Sequence, residues 1–160
     1  MMGMQDKVYI AGISCTKLGK RLDASVKQMV REAVDAALAD AGASVGDVDA
    51  AWFSNTRQPM LEGQNTVRGQ IALRPLGFES VPVVNIENAC ASGSSALIQA
   101  MAHLRAGMAD IALVVGAEKM VFPDRPEAMA AAFEGGTDIH DMEATKAFVR
   151  SLGGDADDES

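Results

Sequence analysis

The chain has 160 residues, of which 48% are hydrophobic and 22% charged, a balance typical of a globular domain rather than a disordered chain. The net charge of −8, without a basic stripe, excludes nucleic acid as an expected partner. No apolar stretch approaches the length of a membrane span, and neither cysteine has metal-ligand spacing, so we expect no membrane insertion and no metal site.

Two signals mark the start of the chain. Residues 8–12 (VYIAG) form a short apolar run that ends in glycine, which predicts a buried strand. Apolar residues then recur at helical spacing over residues 24–41 and predict a helix with one buried face. Asp23 or Ser25 is placed to cap its first turn, and Gly42 follows the last one, where a left-handed residue commonly ends a helix.

The middle of the chain continues this alternation. Apolar runs predict strands and helical spacing predicts helices, in the order strand 48–54, helix 64–73, strand 82–86, helix 92–105 and strand 111–116. The strands are apolar on both faces, which is typical of a parallel sheet covered on both sides. We therefore predict the α/β class, a layered fold with a parallel-rich sheet of about four strands and helices on both faces.

The character of the sequence changes after Gly116. Two prolines lie close together, and short helices are predicted over residues 126–133 and 141–151. The final residues, 153–160, contain an acidic run (DADDES) and predict a disordered tail.

Cys90 is the main candidate for chemistry, because it lies in a turn between a predicted strand and a predicted helix, followed by small residues (ASGSS). A thiol at a helix N-terminus lies at the positive end of the helix dipole, which favours the thiolate. Small neighbours let a substrate approach the sulfur, and backbone N–H groups of the turn can donate to an oxyanion. This arrangement suits acyl transfer. The alternative, from the residues alone, is a buried small hydrophobic residue.

The second cysteine and the two histidines are not predicted to do chemistry. Cys15 follows the first predicted strand and is interpreted as structural. His103 lies beside apolar positions of the helix at 92–105 and is also interpreted as structural, whereas His140 lies in a polar loop and is interpreted as a surface residue. Residues 1–7 lack the features of a signal peptide, so we expect a cytoplasmic protein with reduced thiols.

Residues 88–97 (NACASGSSAL) resemble the nucleophile motif of the thiolase family and are most similar to its sterol-carrier-protein-type branch. Other segments resemble the family in the same order and spacing: residues 8–16 (VYIAGISCT), Gly63-Gln64-Asn65 with Arg68, and residues 116–120 (GAEKM). The resemblance covers roughly residues 7–122 and implies the thiolase-like layered fold.

The resemblance implies an acyl-CoA acyltransferase in which Cys90 accepts the acyl group. Cleavage of a 3-ketoacyl-CoA, or Claisen condensation of two acyl-CoA molecules, would pass through an acyl-cysteine and give ping-pong kinetics. Coenzyme A thioesters would then be substrates, and no cofactor is implied. Residues 1–120 would form the thiolase N-terminal domain lacking its fifth strand, 121–152 the start of the loop domain, and 153–160 the acidic tail.

Part of a thiolase site is missing from this sequence. The family completes the site with an activating histidine and a second cysteine in its C-terminal half, in segments resembling G-H-P and C-x-G, and neither segment occurs here. Either a partner chain supplies that half, which we favour, or the chain is a truncated product. In dimers of the family, the third strand pairs with the same strand of the other subunit. The corresponding strand here runs from Pro82 to Ile86, so we also expect an oligomer.

Other functions fit the sequence less well. A non-catalytic thiolase-like subunit that binds acyl-CoA or scaffolds a complex would not need an exposed thiol. Retro-aldol lyases on the same fold tend to lose the cysteine. Ketoacyl synthases and hydroxymethylglutaryl-CoA synthases also use a cysteine at a helix start, but Glu118-Lys119-Met120 favours thiolase. A nucleotide site is disfavoured because the chain lacks G-x-G-x-x-G.

Overall fold

The computed structural model describes residues 7–154, which divide after Phe122 into two compact units. Strands and helices alternate in the first unit: α1 (Val26–Ala41), β1 (Ala50–Ser54), α2 (Gln58–Glu62), α3 (Arg68–Leu73), β2 (Val83–Ile86), α4 (Ser92–Arg105) and β3 (Ala112–Gly116). Single turns of 3-10 helix occur at Val45–Asp47, Arg74–Leu76 and Ala89–Ala91. The second unit contains α5 (Pro126–Glu134) and α6 (Met142–Ser151).

The sheet has the order β2-β1-β3, and both strand pairs are parallel. In the register, Ser54 lies opposite Ile86 on one side and Gly116 on the other, so all three strands end at the same edge. This carboxyl edge is where the loops of a parallel α/β sheet carry ligand sites. The predicted α/β class and parallel sheet are confirmed, with three strands in the described part of the chain instead of about four.

Helices cover both faces of the sheet, as predicted. Every residue of β1 is buried, and alternate side chains point to opposite faces. Ala51 and Phe53 pack in a cluster with apolar residues of α1 and α3, whereas Ala50 and Trp52 pack in a second cluster with α4. Neither face of β1 is in contact with solvent, which explains why its sequence is apolar from Ala50 to Phe53 without alternation.

α1 begins and ends where its sequence signals indicate. The Ser25 hydroxyl accepts from Gln28 N at 3.2 Å, and the Gln28 side chain accepts from Ser25 N at 2.8 Å, which forms a capping box. Gly42 ends the helix with a left-handed φ of 64°. The cap is thus Ser25 and not Asp23. The helices predicted at 92–105, 126–133 and 141–151 are also present, and the first of these matches α4 to the residue.

The helix predicted over 64–73 begins later, at Arg68. Val67 before it has a left-handed φ of 48°, so the helix cannot continue in the N-terminal direction through this residue. The preceding residues instead form the short helix α2, which the sequence pattern did not indicate.

The strand predicted at residues 8–12 is wrong, because this segment has no strand conformation and pairs with none of the described strands. The segment lies beside α1, where Ile13 N donates to Asp40 Oδ2 at 2.9 Å. The side chains of Tyr9 and Ile10 are 76% and 73% exposed. An apolar run forms a strand only where a neighbouring strand is available for hydrogen bonding. Sequence periodicity does not show whether such a neighbour exists.

The predicted tail at 153–160 falls mostly on residues 155–160, which lie outside the described residues. Gly153 and Gly154 are described and continue from α6, where Gly154 N donates to Val149 O at 3.0 Å. Between residues 7 and 154, none of the helices combines the length and apolar character that crossing a bilayer requires.

Candidate active site

Cys90 lies at the carboxyl edge of the sheet, in the single 3-10 turn Ala89–Ala91 that joins β2 to α4. Its thiol is exposed and not oxidised to a disulfide. The predicted strand–turn–helix placement is confirmed, and the alternative of a buried small hydrophobic residue is wrong. An exposed thiol in this position is accessible to a substrate that approaches the ends of the strands.

The residue before Cys90 is held in a strained conformation. Ala89 has a left-handed φ of 45°, which costs an L-residue roughly 1–2 kcal/mol. Hydrogen bonds on both sides of the residue offset this cost: Ala89 N donates to Glu87 Oε1 at 2.7 Å, and Ser92 Oγ donates to Ala89 O at 2.7 Å. Ser92 is only 6% exposed, so this second contact is shielded from water. The conformation of the turn is therefore fixed by its neighbours.

The backbone N–H groups of the turn are less available than the sequence suggested. Four of them already have acceptors inside the turn, those of Asn88, Ala89, Ala91 and Ser92. Among residues 88–92, the backbone N–H of Cys90 is the one that none of these hydrogen bonds uses. If an oxyanion forms on a substrate bonded to the Cys90 sulfur, the closest backbone donor from this turn is that of Cys90 itself.

A polar network ties the ends of β1 and β3 together beside this turn. The Glu118 carboxylate accepts from Thr56 N at 2.8 Å and from Arg57 N at 3.0 Å. It also accepts from the Asn55 side chain at 3.0 Å, and Asn55 is only 2% exposed. Arg68 of α3 donates to Asn55 Oδ1 at 3.2 Å. The loop after β1 is thus fixed to the residues after β3.

In the sequence, Glu118 and Arg68 belong to segments that resemble the family, whereas no motif indicates Asn55 or Thr56. A signal for the latter two exists in hindsight. Polar residues follow directly after a strand that is buried on both faces, at the edge where parallel strands end.

A profile of the family described as "Thiolase, N-terminal domain" matches residues 8–156. The chain belongs to the thiolase family. The exposed cysteine between a strand and a helix is thus part of a thiolase N-terminal domain.

Curated relatives share about a third of their aligned residues with this thiolase chain. Sterol carrier protein 2 of Gallus gallus is 33% identical over 119 residues, which is 73% of this chain and 21% of the relative. The acetyl-CoA acetyltransferase of Methanocaldococcus jannaschii is 35% identical over 113 residues, 71% of this chain and 29% of the relative. The benzoylsuccinyl-CoA thiolase subunit BbsB of Thauera aromatica is 32% identical over 121 residues, which is 73% of this chain and 29% of the relative. This chain therefore spans about a fifth to a third of the length of such relatives.

A solved structure supports the fold. The 3-oxoacyl-[acyl-carrier-protein] synthase III from Aquifex aeolicus VF5 superposes with a TM-score of 0.55 at 23% sequence identity. The match covers 61% of this chain and 31% of that chain. At this identity the likeness shows a shared fold and nothing finer.

The histidines of this thiolase chain are not placed to activate Cys90 within its unit. His103 packs edge-on against Trp52, with ring centroids 5.1 Å apart and planes at 69°, as expected for a structural residue. It lies at the far end of α4 from Cys90, and eleven residues of helix span about 16 Å. His140 is exposed in the second unit, where its backbone N–H donates to Asp138 at 3.0 Å.

Cys15 was interpreted as structural, but it is exposed and not part of the core. Its thiol donates to the carbonyl of the next residue, Thr16, at 3.3 Å. Among residues 7–154, no three histidine, cysteine, aspartate or glutamate side chains cluster as metal ligands would.

Proposed function

We propose that this chain carries the acyl-accepting part of a thiolase active site, with Cys90 as the nucleophile. The observation that carries this proposal is the exposed Cys90 thiol, held in a fixed turn at the carboxyl edge of a parallel sheet. Family membership supports it, and relatives named acetyl-CoA acetyltransferase and benzoylsuccinyl-CoA thiolase subunit support acyl-CoA as the substrate class.

The proposed chemistry begins with removal of the Cys90 thiol proton by a base. The sulfur attacks the carbonyl carbon of an acyl-CoA, and the carbonyl electron pair moves to oxygen, where the Cys90 N–H donates a hydrogen bond. The pair then returns, the bond between carbon and the coenzyme A sulfur breaks, and coenzyme A leaves with the proton. A base then removes a proton from the α-carbon of a second acyl-CoA, and the resulting carbanion attacks the carbonyl carbon of acyl-Cys90. The bond between that carbon and the Cys90 sulfur breaks, the 3-ketoacyl-CoA leaves, and the sulfur takes up the proton to give the free thiol. Cleavage is the reverse sequence.

The base is proposed to come from outside the first unit, because the histidine in that unit, His103, lies at the opposite end of α4. A partner chain that carries the remaining thiolase groups is the source we favour, and one relative is itself named a subunit. β2 lies at the edge of the described sheet, and its Val84 is 37% exposed, which supports residues 82–86 as an oligomer contact. Native mass spectrometry should then show more than one chain; a lone 16.7 kDa species would contradict both partner proposals.

Exchange of labelled coenzyme A into acyl-CoA tests the nucleophile without requiring the second substrate. The complete protein, purified with any chains that accompany it, should catalyse this exchange. Cys90→Ser should abolish it, whereas Cys15→Ser, the matched control at the other exposed thiol, should retain it. Exchange that survives in Cys90→Ser would contradict the proposal. No exchange in the unmodified protein would favour a scaffolding role.

A further inference from the structure

The hydroxyl of Thr56 reaches from the end of β1 to the turn that holds Cys90. Thr56 Oγ1 lies 3.2 Å from Ala89 O, to which it is placed to donate, and 3.1 Å from Ser92 Oγ. Ser92 Oγ donates its single proton to Ala89 O at 2.7 Å and accepts from Asn88 N at 2.8 Å. The Thr56 proton is therefore shared between Ala89 O and Ser92 Oγ, and both choices strengthen the hold on the Ala89 carbonyl.

Thr56 is itself fixed from the other side. Its backbone N–H donates to Glu118 Oε2, and the Glu118 carboxylate is anchored by the buried Asn55 side chain. The path from Glu118 through Thr56 to Ala89 thus links the ends of β3 and β1 to the turn after β2. These elements are distant in sequence, since Thr56 and Ser92 are 36 residues apart.

The position of the Ala89 carbonyl determines where the Cys90 N–H points. The two groups belong to one peptide unit, which is planar and trans, so they point in opposite directions in the same plane. A carbonyl held by the hydroxyls of Thr56 and Ser92, together with the Ser92 N–H, therefore orients the Cys90 N–H away from Thr56. It also fixes the Cα from which the Cys90 sulfur projects.

We propose that Thr56 is a positioning residue for acyl transfer, which acts by orienting the Ala89–Cys90 peptide and thereby both the oxyanion donor and the nucleophile. This inference rests on the proposed function of Cys90. Loss of an oxyanion donor costs about 10²–10³ in kcat, and Thr56 supports the donor through one of two hydroxyls. We expect Thr56→Val to lower kcat by about tenfold and to leave KM within about twofold.

Steady-state kinetics of the complete protein, with its accompanying chains, test this role through three variants. Thr56→Val removes the hydroxyl at nearly constant shape, and Thr56→Ser keeps it and should restore kcat to within about twofold of the unmodified protein. Thr66→Val is the matched control, because Thr66 is exposed and its hydroxyl makes no hydrogen bond to the described residues. If Thr56→Val does not fold, the comparison is made with Ser92→Ala, which should also lower kcat without raising KM.

The outcomes separate this inference from the proposed function. If Cys90→Ser abolishes exchange while Thr56→Val keeps a normal kcat, the positioning role is wrong and the nucleophile stands. If Thr56→Ser is as impaired as Thr56→Val, or if KM rises as much as kcat falls, the role of Thr56 is general packing and the proposal is overturned. If Cys90→Ser is active, both proposals fail.

Discussion

Replacement of Gly69 by alanine should loosen the contact between α3 and the sheet. Gly69 is buried, and a Cβ added there would lie 2.6 Å from Phe53 Cβ, 2.8 Å from Val83 Cγ1 and 3.1 Å from Asn85 Oδ1. Carbon atoms in ordinary contact are about 3.5–4.0 Å apart. Because Phe53 Cβ is fixed to the backbone of β1, side-chain rotation cannot relieve the closest contact. α3 must therefore move away from the sheet by about 1 Å.

This movement has a second cost. Gly69 N donates to Asn85 Oδ1 at 2.7 Å, and a retreat of about 1 Å would stretch that contact beyond hydrogen-bonding range. Overpacking costs about 1–3 kcal/mol and the lost hydrogen bond about 1 kcal/mol, whereas alanine in place of glycine contributes about 1 kcal/mol to helix propensity. We therefore expect Gly69→Ala to lower the free energy of unfolding by about 1–3 kcal/mol.

Thermal unfolding of the purified protein measures this loss. For a chain of this size, 1 kcal/mol corresponds to about 2–4 °C, so a loss of about 1–3 kcal/mol should lower the midpoint by about 2–12 °C. Gly46→Ala is the matched control, because a Cβ at Gly46 would meet only Ser44 Oγ, at 3.8 Å, and its midpoint should stay within about 2 °C. Equal midpoints for Gly69→Ala and the unmodified protein would refute the close approach of α3 to β1.

Two further predictions concern stability. Ser25→Ala removes the capping box of α1 and should lower the free energy of unfolding by about 1 kcal/mol, measured by urea denaturation, whereas Ser25→Thr should keep most of it; an equal loss in both would contradict capping as the cause. Backbone hydrogen bonds from Ile111 and Asp110 lower the pKa of Asp49, so its stabilising effect is present above the ordinary aspartate range and is lost as pH falls through the lowered value. Between pH 7 and about pH 3, Asp49→Asn should lose less stability than the unmodified protein in urea denaturation, and equal losses in the two proteins would contradict this cause.

The elements that sequence predicted best are those with complete local signals. α4 has helical spacing between a turn and Gly107, and its predicted bounds agree with the structure. α1 has both a capping box and a left-handed glycine. These features are encoded within a few residues, so no knowledge of the tertiary structure is required to find them.

The errors have a common physical origin in contacts between distant residues. Residues 8–12 have the composition of a strand, but pairing depends on a neighbour that local periodicity does not identify. The turn around Cys90 was predicted from local pattern, whereas its support by Thr56 depends on the parallel register, which brings the ends of β1 and β2 to one edge. The local pattern also predicts more free backbone N–H groups for an oxyanion than the turn has. One of them, that of Asn88, already donates to the Ser92 side chain.

The central claim is that Cys90 accepts the acyl group, and the most direct measurement is mass spectrometry of the acid-quenched protein after mixing with acyl-CoA. We predict a mass increase of one acyl group, mapped to the peptide that contains Cys90, present in Cys15→Ser and absent in Cys90→Ser. An adduct that maps equally to Cys15 and Cys90, or one that persists in Cys90→Ser, would contradict the claim.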